Sequence, residues 1–250
     1  MSLFNFGLRP IAEIQPWGEP GRHTLSWFGL SDGWYWLELA GQELFRGRTP
    51  EQPGEPPYVS YQVVRLWEDV LEIVPAVLAP VPPDLAGLLR SPEAFLARAE
   101  RLVADAARLG ATADCVDDAL AFWHARHLGS YHLVAAPELW LWSDGETVHA
   151  LWRSQLAGAA LWQAVGGTTA MPVGQFVDEL RAFDRAFLAA MGERVEGVVR
   201  GGGLPGVAID LEHLVAEQRD RSTWMENALS RTRLEDWPAA RSLLGGLAAG

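Results

Sequence analysis

Two segments with the same sequence, Ser31-Asp32-Gly33 and Ser143-Asp144-Gly145, each lie between two apolar runs rich in aromatic residues. Glycine readily adopts the positive φ angle of a tight turn, and aspartate hydrogen-bonds to its own backbone there. The pattern therefore predicts two β-hairpins. The first has strands at 24–30 and 34–39, and the second lies between 138 and 152.

In the strand at 34–39, apolar and aromatic residues alternate with a period of two. Successive side chains of a strand point to opposite faces of the sheet. Trp34, Trp36 and Glu38 are therefore expected on one face, and Tyr35, Leu37 and Leu39 on the other. Aromatic residues on both faces predict that the hairpin is covered on both sides.

Between and after the hairpins, the chain has the spacing of amphipathic helices. The segment 47–57 holds four prolines and two glycines and is predicted to be a loop. Apolar residues then follow a helical period at 58–74, at 92–110 behind the N-cap Ser91, and at about 112–127.

The C-terminal third is predicted to be helical, with helices at about 172–191 and 209–232. The glycine-rich segment 201–206 separates them and is read as a loop, because no βαβ unit accompanies it. These patterns predict a single α+β domain at 1–250, in which antiparallel hairpins pack against several α-helices. Its parts are a β-rich region at 1–46, the loop at 47–57, helices at 58–128, the second hairpin at 130–155 and helices at 172–244.

All 20 basic residues are arginine, and the chain contains no lysine. Schiff-base enzymes, pyridoxal-phosphate enzymes and nucleotide-binding loops of the Walker A type all need a lysine, so these classes are excluded. The formal net charge of −12 disfavours nucleic acid as a ligand and would attract a basic partner.

Cys115 is the single cysteine, so the chain can form neither an internal disulfide nor a cysteine zinc site. The N-terminal residues do not resemble a signal peptide, and no apolar run is long enough for a membrane span. We expect a cytoplasmic location and no membrane association. The sequence leaves the oligomeric state open.

Three histidines and an aspartate form the densest group of candidate catalytic residues: Asp117, His124, His127 and His132. On one helix, Asp117, His124 and His127 could share a flank and bind a metal ion or act as acid–base groups. The alternative is that His127 belongs to the apolar stripe of that helix and is a core residue. Three acidic residues at 68, 69 and 72 are interpreted as a solvated helix face.

The tryptophans are the other candidates. Those in the hairpins could line a binding surface with nearby polar groups, since tryptophan and arginine are favoured at interfaces. The alternative is that they fill the contact between hairpins and helices. The candidate binding residues are Trp27, Asp32, Trp34, Trp36, Arg126, Trp140, Trp142 and Trp152.

Two blocks of sequence resemble an uncharacterised bacterial family of unknown function. The first contains Phe4, Phe6, Leu8-Arg9-Pro10, Pro16-Trp17-Gly18 and Trp27–Tyr35, and the second contains Arg126–Leu128, Tyr131, Leu133, Pro137, Trp142–Val148 and Trp152. Gly129 and His124 depart from the family pattern, which has an acidic residue and an arginine there. The resemblance implies a bacterial cytoplasmic protein that acts by binding, as immunity proteins for secreted toxins do.

The leading functional hypothesis is a non-enzymatic bacterial binding protein, of immunity or regulatory type, whose acidic, tryptophan-lined surface binds a basic protein. No cofactor is expected. One alternative is an enzyme that uses Asp117, His124, His127 and His132 around a metal ion or as acid–base groups. Another is a small-molecule pocket walled by Trp34, Trp36, Trp140 and Trp142.

Overall fold

A computed structural model describes residues 2–91, 94, 97, 101, 104, 121–130, 132–154, 160–231, 237, 238 and 241. The strands are β1 (Phe4–Leu8), β2 (His23–Thr24), β3 (Asp32–Leu39), β4 (Gln42–Leu44), β5 (Val59–Gln62), β6 (His127–Leu128), β7 (Glu138–Ser143), β8 (Thr147–Arg153), β9 (Gly166–Pro172) and β10 (Val207–Ala208). The α-helices are α1 (Trp27–Leu30), α2 (Val63–Leu78), α3 (Pro83–Ala86), α4 (Val173–Arg200), α5 (Leu211–Arg221) and α6 (Trp224–Ser230).

The first sheet is built around β3, which pairs antiparallel with β1 along one edge. Strands β4 and β5 share the other edge. Ala40 and Gly41, with φ angles of 49° and 75°, form the turn between β3 and β4. Two consecutive residues with positive φ suit the type of turn that joins twisted strands closely.

The first predicted hairpin is wrong, because residues 27–30 form a helical turn and not a strand. The Ser26 side chain caps this turn by accepting a hydrogen bond from the backbone N–H of Gly29. Gly33 is not a turn residue either. It lies inside β3, where a Cβ atom would stand 2.2 Å from the carbonyl oxygen of Gly7 on β1. This glycine therefore permits close strand approach.

The second predicted hairpin is confirmed: β7 and β8 pair antiparallel across the turn at Asp144 and Gly145. The Asp144 carboxylate accepts hydrogen bonds from the backbone N–H groups of Glu146 and Thr147, at 3.0 and 2.8 Å. Gly145 has a φ angle of 103°. Strands β6 and β9 extend this pair to a four-stranded antiparallel sheet that the sequence pattern did not predict.

The helical predictions need three corrections. Residues 59–62 form strand β5 on the first sheet, and the helical residues before β6 end at His124. His127 therefore lies in a strand, paired with Trp140, and not on a helix. The predicted helix at 209–232 is two helices, α5 and α6. Of the predicted helix at 92–110, the structure describes residues 94, 97, 101 and 104, which are helical, and most of the predicted helix at 112–127 falls outside the described residues.

Helix α2 contacts strands of both sheets and forms the centre of the main core. Ten of its sixteen residues are buried. Helix α4 covers the apolar face of β1, where Phe183 stacks on Phe4 with ring centroids 5.3 Å apart. Phe187 meets Phe6 edge to face at 5.7 Å. Aromatic packing therefore fixes the long helix on the first sheet.

Arg221, at the end of α5, is buried among aromatic rings from three other helices. Its guanidinium lies 4.4 Å from the ring of Trp27, 5.7 Å from that of Trp67 and 4.6 Å from that of Trp224. It also forms ion pairs with Glu68 at 2.7 Å and Glu217 at 2.9 Å. This one side chain joins α1, α2, α5 and α6.

Antiparallel sheets with helices concentrated towards the C-terminus make the predicted α+β class correct. The glycine-rich segment forms a loop between α4 and β10, with positive φ angles at Gly202, Gly203 and Gly206. None of the helices in the described part of the chain combines the length and apolar character needed to cross a bilayer.

Replacing Arg221 by leucine should lower the free energy of unfolding by about 3 kcal/mol, because it removes three cation–π contacts and leaves two carboxylates without their partner. Denaturant unfolding measures the change. Arg200→Leu is the control, because Arg200 is 79% exposed and its loss should change stability by under about 0.5 kcal/mol. Equal effects of the two substitutions would show that Arg221 is not a structural junction.

Candidate functional site

The structure places five of the eight candidate binding residues in the core. Their exposed fractions lie between 0% and 3%, and the residues are Trp27, Arg126, Trp140, Trp142 and Trp152. Side chains buried to this extent do not line an open surface. For these five residues, the structure therefore shows the packed arrangement that the sequence left as an alternative.

Internal contacts explain this burial. The indole N–H of Trp27 donates to the Gln218 side chain at 2.7 Å. The Arg126 guanidinium lies 4.3 Å from the Phe122 ring and donates to its carbonyl oxygen at 3.1 Å. The buried indole N–H of Trp140 has no acceptor among the described residues. Burying its ring outweighs the cost of that unmade hydrogen bond.

The other three candidates, Asp32, Trp34 and Trp36, lie together on the outer face of the first sheet. We call this surface the tryptophan face, and it consists of Asp32, Trp34, Trp36, Glu38, Glu43 and Tyr58. The predicted alternation along β3 is correct: Tyr35, Leu37 and Leu39 are buried, while Trp34, Trp36 and Glu38 are half-buried.

Two arginines already occupy part of the tryptophan face. The Arg9 guanidinium lies 4.6 Å from the ring of Trp34 and forms ion pairs with Asp32 at 3.0 Å and Glu55 at 2.5 Å. Glu55 comes from the proline-rich loop, so this contact fixes the loop beside the sheet. The Arg9 guanidinium thus contacts both an aromatic ring face and carboxylates, the two kinds of group that bind guanidinium best.

The second arginine, Arg46, forms an ion pair with Glu43 and lies 5.8 Å from the ring of Tyr58. The Tyr58 ring stacks on Trp36 at 3.9 Å, and its hydroxyl donates to Glu43 at 2.8 Å. Burial raises the pKa of Glu43, but the hydrogen bonds from Arg46 and Tyr58 outweigh it, so the pKa lies below its ordinary value. Glu43 is therefore ionised at neutral pH.

Glu38 lies directly opposite Glu43 in the pairing of β3 with β4. Its carboxylate makes no ion pair or hydrogen bond with any residue that the structure describes. The tryptophan face thus carries one carboxylate beside an aromatic stack that internal arginines do not neutralise. Sequence reasoning placed Glu38 on this face but did not select it.

The candidate metal or acid–base residues do not form one cluster. His124 and His127 line a hollow beside α2, whereas His132 contacts Tyr35 on the first sheet. Asp117 lies outside the described residues. Within those residues, no three histidine, cysteine, aspartate or glutamate side chains are arranged to hold a metal ion.

The hollow beside α2 has a volume of about 430 Å³, and we call it the α2 hollow. Its polar lining consists of Arg65, Asp69, Glu72, His124 and His127. Asp69 is 4% exposed and pairs with Arg65 at 2.9 Å. Burial raises its pKa to about 7; Arg65 opposes the shift, and Glu72 and Glu68 add to it.

Asp69 was missed because its acidic neighbours indicated a solvated face. The signal was its position three residues after Leu66 and four before Ile73, both of which are buried. Residues at these spacings share one face of a helix. The same hollow holds His127, whose ring packs on Trp140 at 4.8 Å. Burial lowers the pKa of His127 to about 4, so its imidazole is neutral at pH 7.

Together, the fold and these sites define an α+β protein with an aromatic, acidic sheet face and a separate polar hollow. The chain belongs to a family of unknown function, DUF5984, whose model matches residues 3–243. No curated protein and no solved structure shows significant similarity to it. Because the family's function is unknown, the match assigns neither a reaction nor a ligand to the chain.

The raised pKa of Asp69 makes a prediction about stability and pH. Between pH 4 and pH 7 the folded state keeps the proton that the unfolded state loses, so rising pH costs stability over this window. Asp69→Asn removes that cost. The stability of the variant relative to the parent should rise by about 2 kcal/mol from pH 4 to pH 7, as measured by urea unfolding.

Asp84→Asn is the matched control. Hydrogen bonds from the Arg241 guanidinium lower the pKa of Asp84 below its ordinary value, and arginine stays charged throughout, so Asp84 is ionised in both the folded and the unfolded state from pH 5 to pH 7. Its effect on stability should stay nearly constant from pH 5 to pH 7. A flat difference for Asp69→Asn as well would show that Asp69 titrates normally.

Proposed function

We propose that this chain is a non-enzymatic binding protein of the bacterial cytoplasm, of immunity or regulatory type, that binds a basic protein through its tryptophan face. The observation that carries the proposal is the carboxylate of Glu38, which lies beside the Trp36 and Tyr58 stack without an internal cationic partner. Such a site suits an arginine side chain from another protein.

The internal arginines support this choice of ligand. Arg9 on Trp34 and Arg46 on Tyr58 are each held by a ring and by carboxylates on the same sheet face. An incoming guanidinium at Glu38 would make the same two contacts. Trp36 and Tyr58 are already stacked, so little side-chain entropy would be lost on binding.

The overall charge supports the same class of partner. The net charge of −12 would attract a basic protein at long range and increase its rate of association. Contacts on the tryptophan face would then supply the specificity. Nucleic acid fits poorly with this charge.

An acid–base enzyme that uses the α2 hollow is the second candidate. Asp69 with a pKa of about 7 is populated in both protonation states near neutral pH, which suits a general acid or base. His124 and His127 line the same hollow, so two of the predicted histidines remain in this version. Enzymatic turnover that survives removal of metal ions by a chelator but is lost in Asp69→Asn would support the acid–base candidate. Turnover that the Asp69→Asn variant retains would exclude it.

Binding to an oligo-arginine peptide tests the leading proposal. Glu38→Gln removes one charge without changing the shape of the side chain, and it should weaken binding about fivefold. The affinity of the parent should also fall from low to high salt, because the contact is electrostatic. Fluorescence anisotropy of a labelled peptide measures both effects.

Glu72→Gln is the matched control, because Glu72 is exposed on α2 and its loss changes the net charge equally. It should leave the affinity nearly unchanged. Equal weakening by the two substitutions would mean that only long-range charge is involved. Affinity that does not depend on salt would contradict the electrostatic contact itself.

A further inference from the structure

A second hollow lies at the edge of β5, away from the α2 hollow. Its volume is about 520 Å³, within the range of pockets that hold small molecules. We call it the β5 hollow. Its lining includes Tyr58, Ser60, Tyr61, His132, Leu161 and Trp162.

The protonation of His132 follows from its contact with Tyr35. The Tyr35 side chain is 1% exposed, and its hydroxyl lies 2.7 Å from Nε2 of His132. A buried hydroxyl needs an acceptor, and this nitrogen is the only one within reach among the described residues. Tyr35 therefore donates to Nε2, which leaves the imidazole proton on Nδ1.

Burial and Arg65 both act against a charge on this histidine. They lower the pKa of His132 to about 4, which agrees with a neutral ring at pH 7. Burial also raises the pKa of Tyr35, so its hydroxyl keeps its proton. His132, which lines the hollow, is thus a neutral ring whose remaining polar group is an N–H donor.

Two hydroxyl groups, on Tyr61 and Ser60, are further donors beside the His132 N–H. The Tyr61 ring packs on His132 with centroids 4.6 Å apart, and its hydroxyl has no hydrogen-bond partner among the described residues. The Ser60 hydroxyl accepts from Arg9 at 3.0 Å, so its own hydrogen is left to donate. The residues that line the hollow therefore carry one N–H and two O–H groups that donate to no other described residue.

Flat apolar surfaces form the other walls. The Trp162 ring is fixed by its N–H, which donates to the carbonyl oxygen of Ala135 at 2.8 Å. Tyr58 is fixed by its stack on Trp36. Leu161 is 47% exposed, so apolar surface is open beside Trp162, which lines the same hollow.

We propose that the β5 hollow binds a small planar aromatic molecule that carries a carbonyl or carboxylate oxygen. Its ring would lie against Tyr58, Trp162 and Leu161, and its oxygen would accept hydrogen bonds from Tyr61 and His132. Arg48 and Glu51 flank the site with opposite charges, so the local field favours neither a neutral nor an anionic ligand. The hollow shares Tyr58 with the tryptophan face, but the hydrogen bonds proposed for its ligand come from Tyr61 and His132, which are not part of that face.

Saturation-transfer NMR with three probes of one size tests the ligand class: benzamide, benzoate and benzylammonium. Benzamide or benzoate should bind, because each carries an acceptor oxygen. Benzylammonium should bind more weakly, because it has no acceptor for the His132 N–H and the Tyr61 O–H. Failure of both acceptor probes to bind, or stronger binding of benzylammonium, would overturn the proposal.

Tyr61→Phe should then weaken binding of the acceptor probe about fivefold, the effect of one lost hydrogen bond. Ser230→Ala is the matched control: it also removes one hydroxyl, but at the exposed end of α6 outside the hollow, where that hydroxyl donates to the carbonyl oxygen of Asn227. Equal affinities in these two variants would overturn the proposed contact. Oligo-arginine binding by Tyr61→Phe reports on the tryptophan face separately, so the two proposals can fail independently.

Discussion

Helix α2 lies against strands of both main sheets, and most of the remaining structure is arranged around it. Its apolar side chains meet the two sheets and α6, so burying it brings distant parts of the chain together. The one buried carboxylate of this helix, Asp69, is tolerated because Arg65 pairs with it and because the α2 hollow opens beside it. The same packing that stabilises the fold thus shifts the pKa of Asp69 towards neutrality.

Contacts between arginine and aromatic rings recur both in the core and on the tryptophan face. Arg221 joins helices among three tryptophans, Arg126 lies on Phe122 in the core, and Arg9 and Arg46 lie on the rings of the tryptophan face. A planar guanidinium stacks on a ring and binds carboxylates at its edges, which an ammonium group does less well. A chain with 12 tryptophans and no lysine can use this contact both inside the core and on the surface.

The candidate sites show where sequence periodicity is informative and where it is insufficient. Alternation along β3 correctly separated Trp34 and Trp36 from the buried face. Alternation along β7 could not show that Trp140 and Trp142 are buried, because the sequence of one strand does not specify how many layers pack on its sheet. His124 and His127 were grouped by helical spacing, but the helical residues before β6 end at His124, so His127 lies in the strand. His132 lies elsewhere, beside Tyr35.

The sequence was sufficient to predict the α+β class, the turn at Asp144 and Gly145, the proline-rich loop and the exclusion of lysine chemistry. These depend on residue type and on neighbours close along the chain. The helical turn at residues 27–30 and the burial of Asp69 became visible only in the folded protein. The tertiary structure also brought His132 to Tyr35, 97 residues away along the chain, within hydrogen-bonding distance. Burial and long-range pairing determine these features, and a local pattern specifies neither.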